Sequence, residues 1–461
     1  MLSNQIVKEM SKILPRKNIL SELEERYVYS QDSLENFEDS GKSADVVVFP
    51  ESSQDVVKIV KFASKHCIPV VCRGAGTNTV GSCIPENGGI VMCFSKMNKI
   101  LYFTPADMTI TVQPGVTVGE IQKAVEAVGL FYPPDPSNLK ISTIGGSIAQ
   151  NSAGARCFKY GPTKNYIIDM QVVMANGEVI RSGSKTVKNT VGYDLNNLFC
   201  GSEGTLGIVV EATLKLIPKP QDCQVIMGYF DSLEDCVSVV NEIISKNIFP
   251  SAIDFMDKNA VNTVERYYPT GMLTDKEALL LIEIDGDRNS VEAKRNLITS
   301  VLDRNNASDV RYSTNSIEAE KIWQARRCSM SACAKLKPNV TTDDIIVPRS
   351  NLAELLYGLR NICAEYNLTP CFVGHVGDGS IHPQIPIDFS DKSEYENYKK
   401  AKVKMYELVS ELGGTISAEH GVGLAKKPFI GMVVDEGAIS YMRSIKKIFD
   451  PENILNPYKI F

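Results

Sequence analysis

The sequence has no apolar run long enough to cross a bilayer and no cluster of lysine and arginine residues. Its start, MLSNQIVKEMSKIL, is amphipathic and lacks the continuous apolar core of a secretory signal. A nucleic-acid surface needs clustered cations to neutralise phosphates, and the net charge of -6 argues against one. We therefore expect a soluble, cytoplasmic protein that has no transmembrane segment and binds no nucleic acid.

The twelve cysteines include no pair at CxxC spacing. This absence excludes a thioredoxin-like redox pair, the usual iron-sulphur and zinc-ribbon spacings, and attachment of a c-type haem. The cysteines are scattered, mostly within apolar stretches, as reduced core thiols would be. The chain also has no fingerprint for an additional nucleotide cofactor that could take up electrons. We therefore expect it to need an external electron acceptor if it carries out redox chemistry.

At 461 residues the chain is long enough for two or three domains. Residues 1–40 are predicted to be a helical lead-in with a polar segment, YSQDSLENFEDSGKS, after it. Residues 41–220 begin with strand, helix, strand and a glycine-rich loop, and contain helix starts at Ser52 and Thr117, each followed by an acidic residue three positions later. Residues 221–461 alternate long amphipathic helices with strands, which indicates an α+β domain.

Glycine-rich loops dominate the first large domain. The stretch RGAGTNTVG is not a dinucleotide fingerprint, because GxGxxG requires a third glycine where Thr79 stands. No lysine follows it, as one would in a phosphate-binding NTPase loop. Several separate loops of glycine and small hydroxyl residues are consistent with backbone N–H groups converging on one extended anion such as a pyrophosphate, or with a set of tight turns.

Taken in order, RGAGT, DPSN, TIGGSIAQNSAG, KYG, GYDL and GSEGTLGIV closely resemble the FAD-binding domain of the vanillyl-alcohol oxidase/PCMH flavoprotein superfamily. Within it, the chain resembles the D-lactate dehydrogenase and glycolate oxidase catalytic-subunit group. The resemblance implies a two-subdomain PCMH-type FAD-binding domain, followed by an α+β substrate or cap domain whose C-terminal end returns to the flavin. The implied FAD contacts are Arg73, Gly74, Ala75, Gly76, Thr77, Asn78, Thr79, Gly81, Ser82, Pro136, Ser137, Thr143, Gly146, Ser147, Asn151, Gly154, Tyr160, Gly161, Gly204, Ile208 and Asn456.

These loops contain no histidine of the kind that holds flavin covalently in some relatives, so we predict non-covalent FAD. Three of the four histidines fall instead in two later motifs, GHVGDGSIH and SAEHGVG. His375, His382 and Glu419 make a set of two imidazoles and one carboxylate that suits Zn²⁺, Mn²⁺ or Fe²⁺. The alternative is that Glu419 and His420 form a surface pair without a role. His66 ends a helix and has no predicted function.

In the resembled family this constellation is the substrate site. The resemblance implies that a divalent ion chelates a 2-hydroxy acid, that His420 takes the hydroxyl proton, and that the C2 hydrogen leaves as hydride to the flavin. The W-x-x-R spacing from Trp323 resembles that of the family's substrate arginine, which implies that Arg326 binds the substrate carboxylate. Asp344 is a candidate for support of the metal ligands. Two residues depart from the family motifs: Ser380 replaces an asparagine, and Tyr458 replaces a glycine.

The predicted function is therefore an FAD- and divalent-metal-dependent D-2-hydroxyacid dehydrogenase. D-lactate oxidised to pyruvate is the leading substrate, with glycolate or D-2-hydroxyglutarate as alternatives. An electron-transferring flavoprotein or an iron-sulphur subunit is the expected partner, on family analogy alone. Two other classes stay open: a metallohydrolase that uses the same ligands without flavin, and a non-catalytic subunit that only docks partners.

Overall fold

The computed structural model describes residues 3–34 and 42–461, so part of the predicted polar segment lies outside the described residues. The chain forms two compact units. The first unit comprises 1–153, 162–219 and 419–461, and the second comprises 154–161 and 220–418. The domain limits predicted at 40/41 and 220/221 stay predictions, because these units are defined by packing and not by chain order.

Helices occur in both units, and two of them begin where the sequence predicts helix starts. They run in chain order as α1 (Ser3–Ile13), α2 (Leu23–Tyr29), α3 (Ser53–Lys65), α4 (Val118–Glu126), α5 (Ile144–Gln150), α6 (Cys157–Tyr160), α7 (Leu195–Phe199), α8 (Leu233–Ser245), α9 (Lys258–Tyr267), α10 (Arg288–Arg304), α11 (Ser316–Arg327), α12 (Ser329–Cys333), α13 (Leu352–Glu365), α14 (Lys392–Glu411) and α15 (Glu436–Phe449). The two predicted helix starts are confirmed as capping boxes, Ser52 with Asp55 and Thr117 with Glu120.

The strands are mostly short. They are β1 (Ile19–Leu20), β2 (Val46–Val48), β3 (Val70–Arg73), β4 (Ile90–Cys93), β5 (Ile100–Thr104), β6 (Thr109–Val112), β7 (Leu130–Phe131), β8 (Ile167–Val173), β9 (Val179–Gly183), β10 (Ile208–Lys215), β11 (Ile217–Pro218), β12 (Asp222–Phe230), β13 (Ala252–Asp257), β14 (Ala278–Gly286), β15 (Asp309–Tyr312), β16 (Asn339–Thr342), β17 (Ile345–Ile346), β18 (Cys371–Gly374) and β19 (Ser380–Ile387).

The first unit contains two main sheets. A four-stranded sheet has the order β1-β2-β4-β3, in which β2 and β3 both run parallel to β4. A five-stranded antiparallel sheet has the order β5-β6-β10-β8-β9. The C-terminal segment belongs to this unit, where Leu455 forms a parallel bridge to Val70 and packs with Ile454 in its core. The expected return of the C-terminal end to the first part of the chain is therefore seen.

The second unit is built on an eight-stranded sheet with the order β15-β12-β14-β13-β18-β19-β16, and β17 pairs with β19. Its strand pairs are antiparallel, and β13 is buried along its whole length. Helices α9 and α12 pack against this sheet around an apolar cluster that includes Met256, Val264 and Val373. The α+β class predicted from the sequence is confirmed.

Among the described residues, none of the helices combines the length and the apolar content that a membrane span requires. The described part of the chain also contains no disulfide, and most of its cysteines are buried. This agrees with the prediction of reduced core thiols.

Candidate active site

The first predicted FAD loop follows β3 and turns sharply at two glycines. Gly76 and Gly81 have φ angles of +71° and +81°, which favour glycine. A Cβ atom on Gly74 would lie only 2.1 Å from Oγ1 of Thr143, so this loop approaches the next one closely. Asn78 Oδ1 accepts the N–H of Val80 at 2.9 Å and shapes the turn from within.

The next two predicted FAD segments lead into α5 and continue through it. Pro136 O accepts the N–H of Leu139, and Ser137 lies exposed between them. Thr143 caps α5 by accepting the N–H of Gly146, and Asn151 ends the helix in the left-handed conformation with φ +51°. Helix α5 therefore carries the predicted contacts Gly146 and Ser147 between two capped ends.

Glu203, in the motif GSEGTLGIV, ties these loops to the segment that follows His420. It is buried, and its carboxylate accepts Ser82 Oγ at 2.5 Å and the N–H groups of Val422 and Gly423 at 2.7 and 2.9 Å. Burial raises the pKa of Glu203, while these donors oppose the rise. Asn78 Nδ2 donates to the backbone carbonyl of His420 at 3.0 Å, so His420 is held from the first loop as well.

Asn456 is predicted to contact the flavin, and its amide nitrogen also joins two loops. Asn456 Nδ2 donates to the carbonyls of Ser82 at 3.0 Å and of Glu203 at 2.7 Å. Beyond Glu203, Gly204 has φ +71° and Ile208 begins β10. The C-terminal residue Asn456 therefore holds together the two loops that carry predicted FAD contacts.

The chemistry of these loops fits an extended polar cofactor such as FAD. Four buried side-chain oxygens in them have no hydrogen-bond partner among the described residues, namely Thr79 Oγ1, Ser147 Oγ, Gln150 Oε1 and Asn456 Oδ1. Buried polar atoms are normally satisfied, so a group of such oxygens beside glycine turns indicates a bound ligand. Arg73, at the start of the same loop, supplies a cation that suits a pyrophosphate.

Three further predicted FAD contacts lie in the segment 154–161. Gly154, Tyr160 and Gly161 belong to the second unit, into which the chain passes for residues 154–161. Tyr160 donates its hydroxyl to Asp285 at 2.5 Å, and Lys159 forms an ion pair with the same carboxylate. The hydroxyl of Tyr160 is thus engaged by a side chain of its own unit.

The second unit brings His375 and His382 together. Val373 on β18 pairs with His382 on β19, and the turn GDGS between the strands returns the chain so that the two rings lie 5.2 Å apart at 78°. His375 Nδ1 lies 2.5 Å from Oδ1 of Asp254. This follows from the register, because Phe255 pairs with Gly374 and the next residues along, Asp254 and His375, are opposite one another.

Arg326, the predicted substrate arginine, is 7% exposed and reaches the same carboxylate. Its Nε lies 2.7 Å from Oδ2 of Asp254, while Arg327 pairs with Glu320 at the surface. Burial opposes ionisation of Asp254, but the charges of His375 and Arg326 outweigh it and leave the pKa of this carboxyl below its ordinary value. A guanidinium and an imidazole therefore converge on one buried carboxylate.

The donor set around these histidines fits a divalent metal ion. His382 Nδ1 lies 3.7 Å from Oδ1 of Asp344, whose other oxygen accepts the N–H of Ala418 at 2.9 Å. Metal-binding histidines commonly have one ring nitrogen oriented by a carboxylate, and Asp254 is such a partner for His375, while Asp344 lies near His382 at the longer distance. Glu419 follows Ala418 in the chain and, with His420, begins the last part of the first unit, where His420 Nε2 lies 4.0 Å from Glu419 Oε1.

Both departures from the family motifs keep their local turns. The backbone N–H of Ser380 donates to Asp378 Oδ1 at 3.1 Å and to the carbonyl of His375 at 3.2 Å, so the main chain closes the loop between the histidines. Tyr458 adopts φ +70°, the left-handed conformation that a glycine would take there.

Sequence reasoning missed two residues of this region, Asp254 and Glu203. No sequence motif indicates the role of either residue. Glu203 stands among glycines that are typical of cofactor-binding loops, and Asp254 is one of two aspartates in SAIDFMDK. A signal for Asp254 was present only in its place on an apolar strand, where a carboxylate needs a partner. His66, in contrast, caps α3 and packs on Phe62, as a structural histidine would.

Comparison with known proteins finds relatives along the whole chain. Residues 219–460 match the family model "FAD linked oxidases, C-terminal domain", and residues 44–183 match "FAD binding domain". The chain is 40% identical to the glycolate oxidase subunit GlcD of Bacillus subtilis (strain 168), over 100% of this chain and 97% of that protein. It is 33% identical to a D-lactate dehydrogenase of Anaerostipes hadrus, over 99% and 97% of the two chains.

A solved structure of p-cresol methylhydroxylase with substrate bound superposes with a TM-score of 0.82, at 18% identity, over 98% of this chain and 96% of that chain. At this identity the likeness concerns the fold alone.

Proposed function

The chain belongs to the FAD-linked oxidases, and from this premise we propose that it oxidises a short 2-hydroxy acid to the corresponding 2-oxo acid. The proposed cofactors are non-covalent FAD and one divalent metal ion. The observation that carries the proposal is the convergence of Arg326 and His375 on the buried carboxylate of Asp254, with His382 beside them. An arginine and two imidazoles suit an acid that carries a neighbouring hydroxyl.

For the metal ion we propose His375, His382 and Glu419 as ligands. Two imidazoles and one carboxylate form a borderline ligand field for Zn²⁺, Mn²⁺ or Fe²⁺ and leave coordination positions for a substrate. Support comes from the carboxylates that flank both rings, Asp254 beside His375 and Asp344 beside His382. Asp344 also holds the backbone of Ala418, the residue that precedes Glu419.

When bound, FAD supplies an acceptor for two electrons, and the divalent ion supplies a Lewis acid that lowers the pKa of the substrate hydroxyl. Arg326 binds the substrate carboxylate through its guanidinium, whose planar donors match a carboxylate. His420 accepts the hydroxyl proton on a ring nitrogen and releases it after turnover. The hydrogen bond from Asn78 to the His420 carbonyl fixes the backbone from which that ring is presented.

D-lactate and glycolate are the substrates we propose first. The relative from Anaerostipes hadrus is a D-lactate dehydrogenase, and the more similar relative from Bacillus subtilis is a subunit of a glycolate oxidase. D-2-hydroxyglutarate is a weaker candidate, because its second carboxylate calls for a further cation that nothing in the sequence identifies.

A partner protein is proposed as the electron acceptor. The sequence has no CxxC spacing for a cluster of its own, and the Bacillus relative is named as a subunit. An electron-transferring flavoprotein or an iron-sulphur subunit would fill this role, on family analogy.

Anaerobic mixing with single substrates tests the proposal. The purified, metal-loaded protein should be yellow, and D-lactate or glycolate should bleach its flavin absorbance within one turnover, whereas L-lactate serves as a comparison for stereopreference. A yellow protein that none of these acids bleaches would refute the dehydrogenase proposal and favour a docking subunit. A colourless protein that binds metal and hydrolyses esters would favour the metallohydrolase class.

A further inference from the structure

We propose that Asp254 is a positioning residue that sets the metal ligand His375 and the substrate arginine Arg326 in a single fixed arrangement. The inference rests on the proposed function, in which His375 is a metal ligand and Arg326 binds the substrate carboxylate. It goes beyond that function by making one buried side chain responsible for both metal affinity and substrate affinity.

The geometry gives each oxygen of Asp254 a different partner. Oδ1 lies 2.5 Å from His375 Nδ1, and Oδ2 lies 2.7 Å from Arg326 Nε. The two partners come from separate elements: Arg326 is on α11, and His375 follows β18. Because Asp254 is on the buried strand β13, the carboxylate has little freedom to move and fixes the spacing between the imidazole and the guanidinium.

The contact with His375 has a chemical consequence for metal binding. An imidazole that donates its Nδ1 proton to a carboxylate carries its lone pair on Nε2, the nitrogen that can then bind an ion. Such a carboxylate also holds the ring plane and increases the basicity of the ligand. Asp254 therefore selects both the tautomer and the orientation in which His375 can act.

The contact with Arg326 has a consequence for the substrate. A buried guanidinium requires a compensating charge, and Asp254 supplies it through Nε. Arg326 Nη1 lies 3.5 Å from Ser329 Oγ, a longer and weaker contact than the ion pair. Asp254 thus orients the guanidinium of Arg326 before any carboxylate substrate binds.

Asp257 offers a matched control on the same strand. Both aspartates are buried on β13, but Asp257 accepts the backbone N–H groups of Ala260 at 2.8 Å and Phe372 at 3.1 Å. If the role of Asp254 were only to stabilise the fold, Asp254→Asn and Asp257→Asn should have the same kinds of effect.

The first experiment measures metal affinity by competition with a chelator, using Zn²⁺ and Mn²⁺ on metal-depleted holoflavoprotein. We expect Asp254→Asn to weaken metal binding by about 10- to 100-fold and Asp257→Asn to leave it unchanged. In the kinetic assay, Asp254→Asn should also raise KM for the 2-hydroxy acid by about 10-fold or more, while FAD content stays at the wild-type level. Wild-type metal affinity and KM in Asp254→Asn would overturn the inference.

A spectroscopic measurement adds a readout that a merely structural role would not change. The chain has only four histidines, so ¹⁵N-histidine labelling gives a spectrum that single substitutions can assign. In the metal-free protein we expect a slowly exchanging Nδ1 proton on His375 that disappears in Asp254→Asn and persists in Asp257→Asn. An unchanged His375 signal in Asp254→Asn would also overturn the inference.

A double variant covers the possibility that Asp254→Asn fails to fold. Asp254→Asn with Arg326→Gln removes both charges of the ion pair, a change that is often tolerated. Its metal affinity should still be about 10-fold below that of Arg326→Gln alone. Equal affinities would refute the inference. Failure of the proposed function is recognised separately, by a wild-type flavin that 2-hydroxy acids do not bleach. A wild-type protein that binds no metal ion would overturn the metal-binding part of the proposed function and of this inference.

Discussion

Burial is the main influence that keeps the carboxylic acid of Asp257 protonated at mildly acidic pH. Burial raises its pKa to about 7 from an ordinary value of 3.8, against the hydrogen bonds from Ala260 and Phe372. Between these two pH values the folded chain binds a proton that the unfolded chain has released. The free energy of unfolding contributed by this residue therefore falls as the pH rises from about 4 to about 7.

Asp257→Asn should remove this loss of unfolding free energy at higher pH. The variant keeps an oxygen that accepts the two N–H groups and has no charge to bury, so its stability relative to wild type should increase with pH by up to about 1.4 kcal/mol per pH unit in that window. Urea unfolding at several pH values measures the difference, with the exposed Asp231→Asn as a control. A difference that is constant across the window would contradict the prediction.

His420→Ala tests the proposed base. The backbone of residue 420 is held by Asn78, so truncation of the ring should leave FAD and metal bound. Anaerobic reduction of the flavin by substrate should slow by about 100- to 10,000-fold, because proton transfer to a positioned group is lost. His66→Ala is the control, since His66 ends α3 and packs on Phe62. A reductive rate near that of wild type would exclude His420 as the base.

At the level of single residues, motifs identify groups whose chemistry is visible in their spacing. His375, His382 and Arg326 were selected in this way, and the structure places all three in one region of the second unit. Asp254 could not be separated from Asp257 by the sequence, because both stand in the same strand of apolar residues. Their partners depend on which strand lies beside β13, and that pairing joins residues that are distant in the chain.

At the level of elements, β14 anchors the segment 154–161. Glu283 on β14 accepts Arg156 through two hydrogen bonds, of 2.8 and 3.0 Å, and also accepts Ser251 Oγ and Trp323 Nε1, each at 2.8 Å. Burial opposes ionisation of Glu283, but the charge of Arg156 outweighs it and keeps the pKa below its ordinary value. Trp323, which marked the substrate arginine in the sequence, thus has a structural partner of its own.

Arg156→Ala should destabilise the second unit by about 3–5 kcal/mol, because it leaves the Glu283 charge buried without its counter-ion. Arg156→Met combined with Glu283→Gln should cost much less, since no charge is then buried. Denaturant unfolding of Arg156→Met, Glu283→Gln and the double variant gives the coupling energy. Additive effects would show that the ion pair does not hold this segment. Lys12→Ala, at an exposed ion pair with Glu9, provides the comparison and should have little effect.

At the level of the whole molecule, the resemblance of the ordered glycine loops predicted the family, and the family matches confirm it. The α+β class and the return of the C-terminus to the first unit were also predicted and are seen. That residues 154–161 belong to the second unit was not predicted, because the local sequence of a short helix between two loops does not indicate what the helix packs against. The strand order of the eight-stranded sheet was hidden for the same reason, since it depends on long-range pairing.

Metal removal should lower the stability of the whole protein if the proposed ion is bound. A ligand at 100 times its dissociation constant stabilises the folded state by about 2.7 kcal/mol, so a chelator should reduce the thermal midpoint by a few degrees, and added Zn²⁺ or Mn²⁺ should restore it. In His382→Ala the chelator should have no effect, because the ion is already lost. Tight metal retention in that variant would refute the ligand role of His382.

The polypeptide passes between its two units at residues 153/154, 161/162, 219/220 and 418/419. A gene truncated after codon 219 would encode most of the nucleotide-binding half but omit Ile454 and Leu455, whose backbone pairs with Val70 along the outer strand of the four-stranded sheet. Such a fragment would present a bare strand edge to solvent and invite aggregation. Recombinant halves intended for isotope labelling or crystallisation therefore need residues 419–461 supplied, either fused through a linker or produced as a separate peptide.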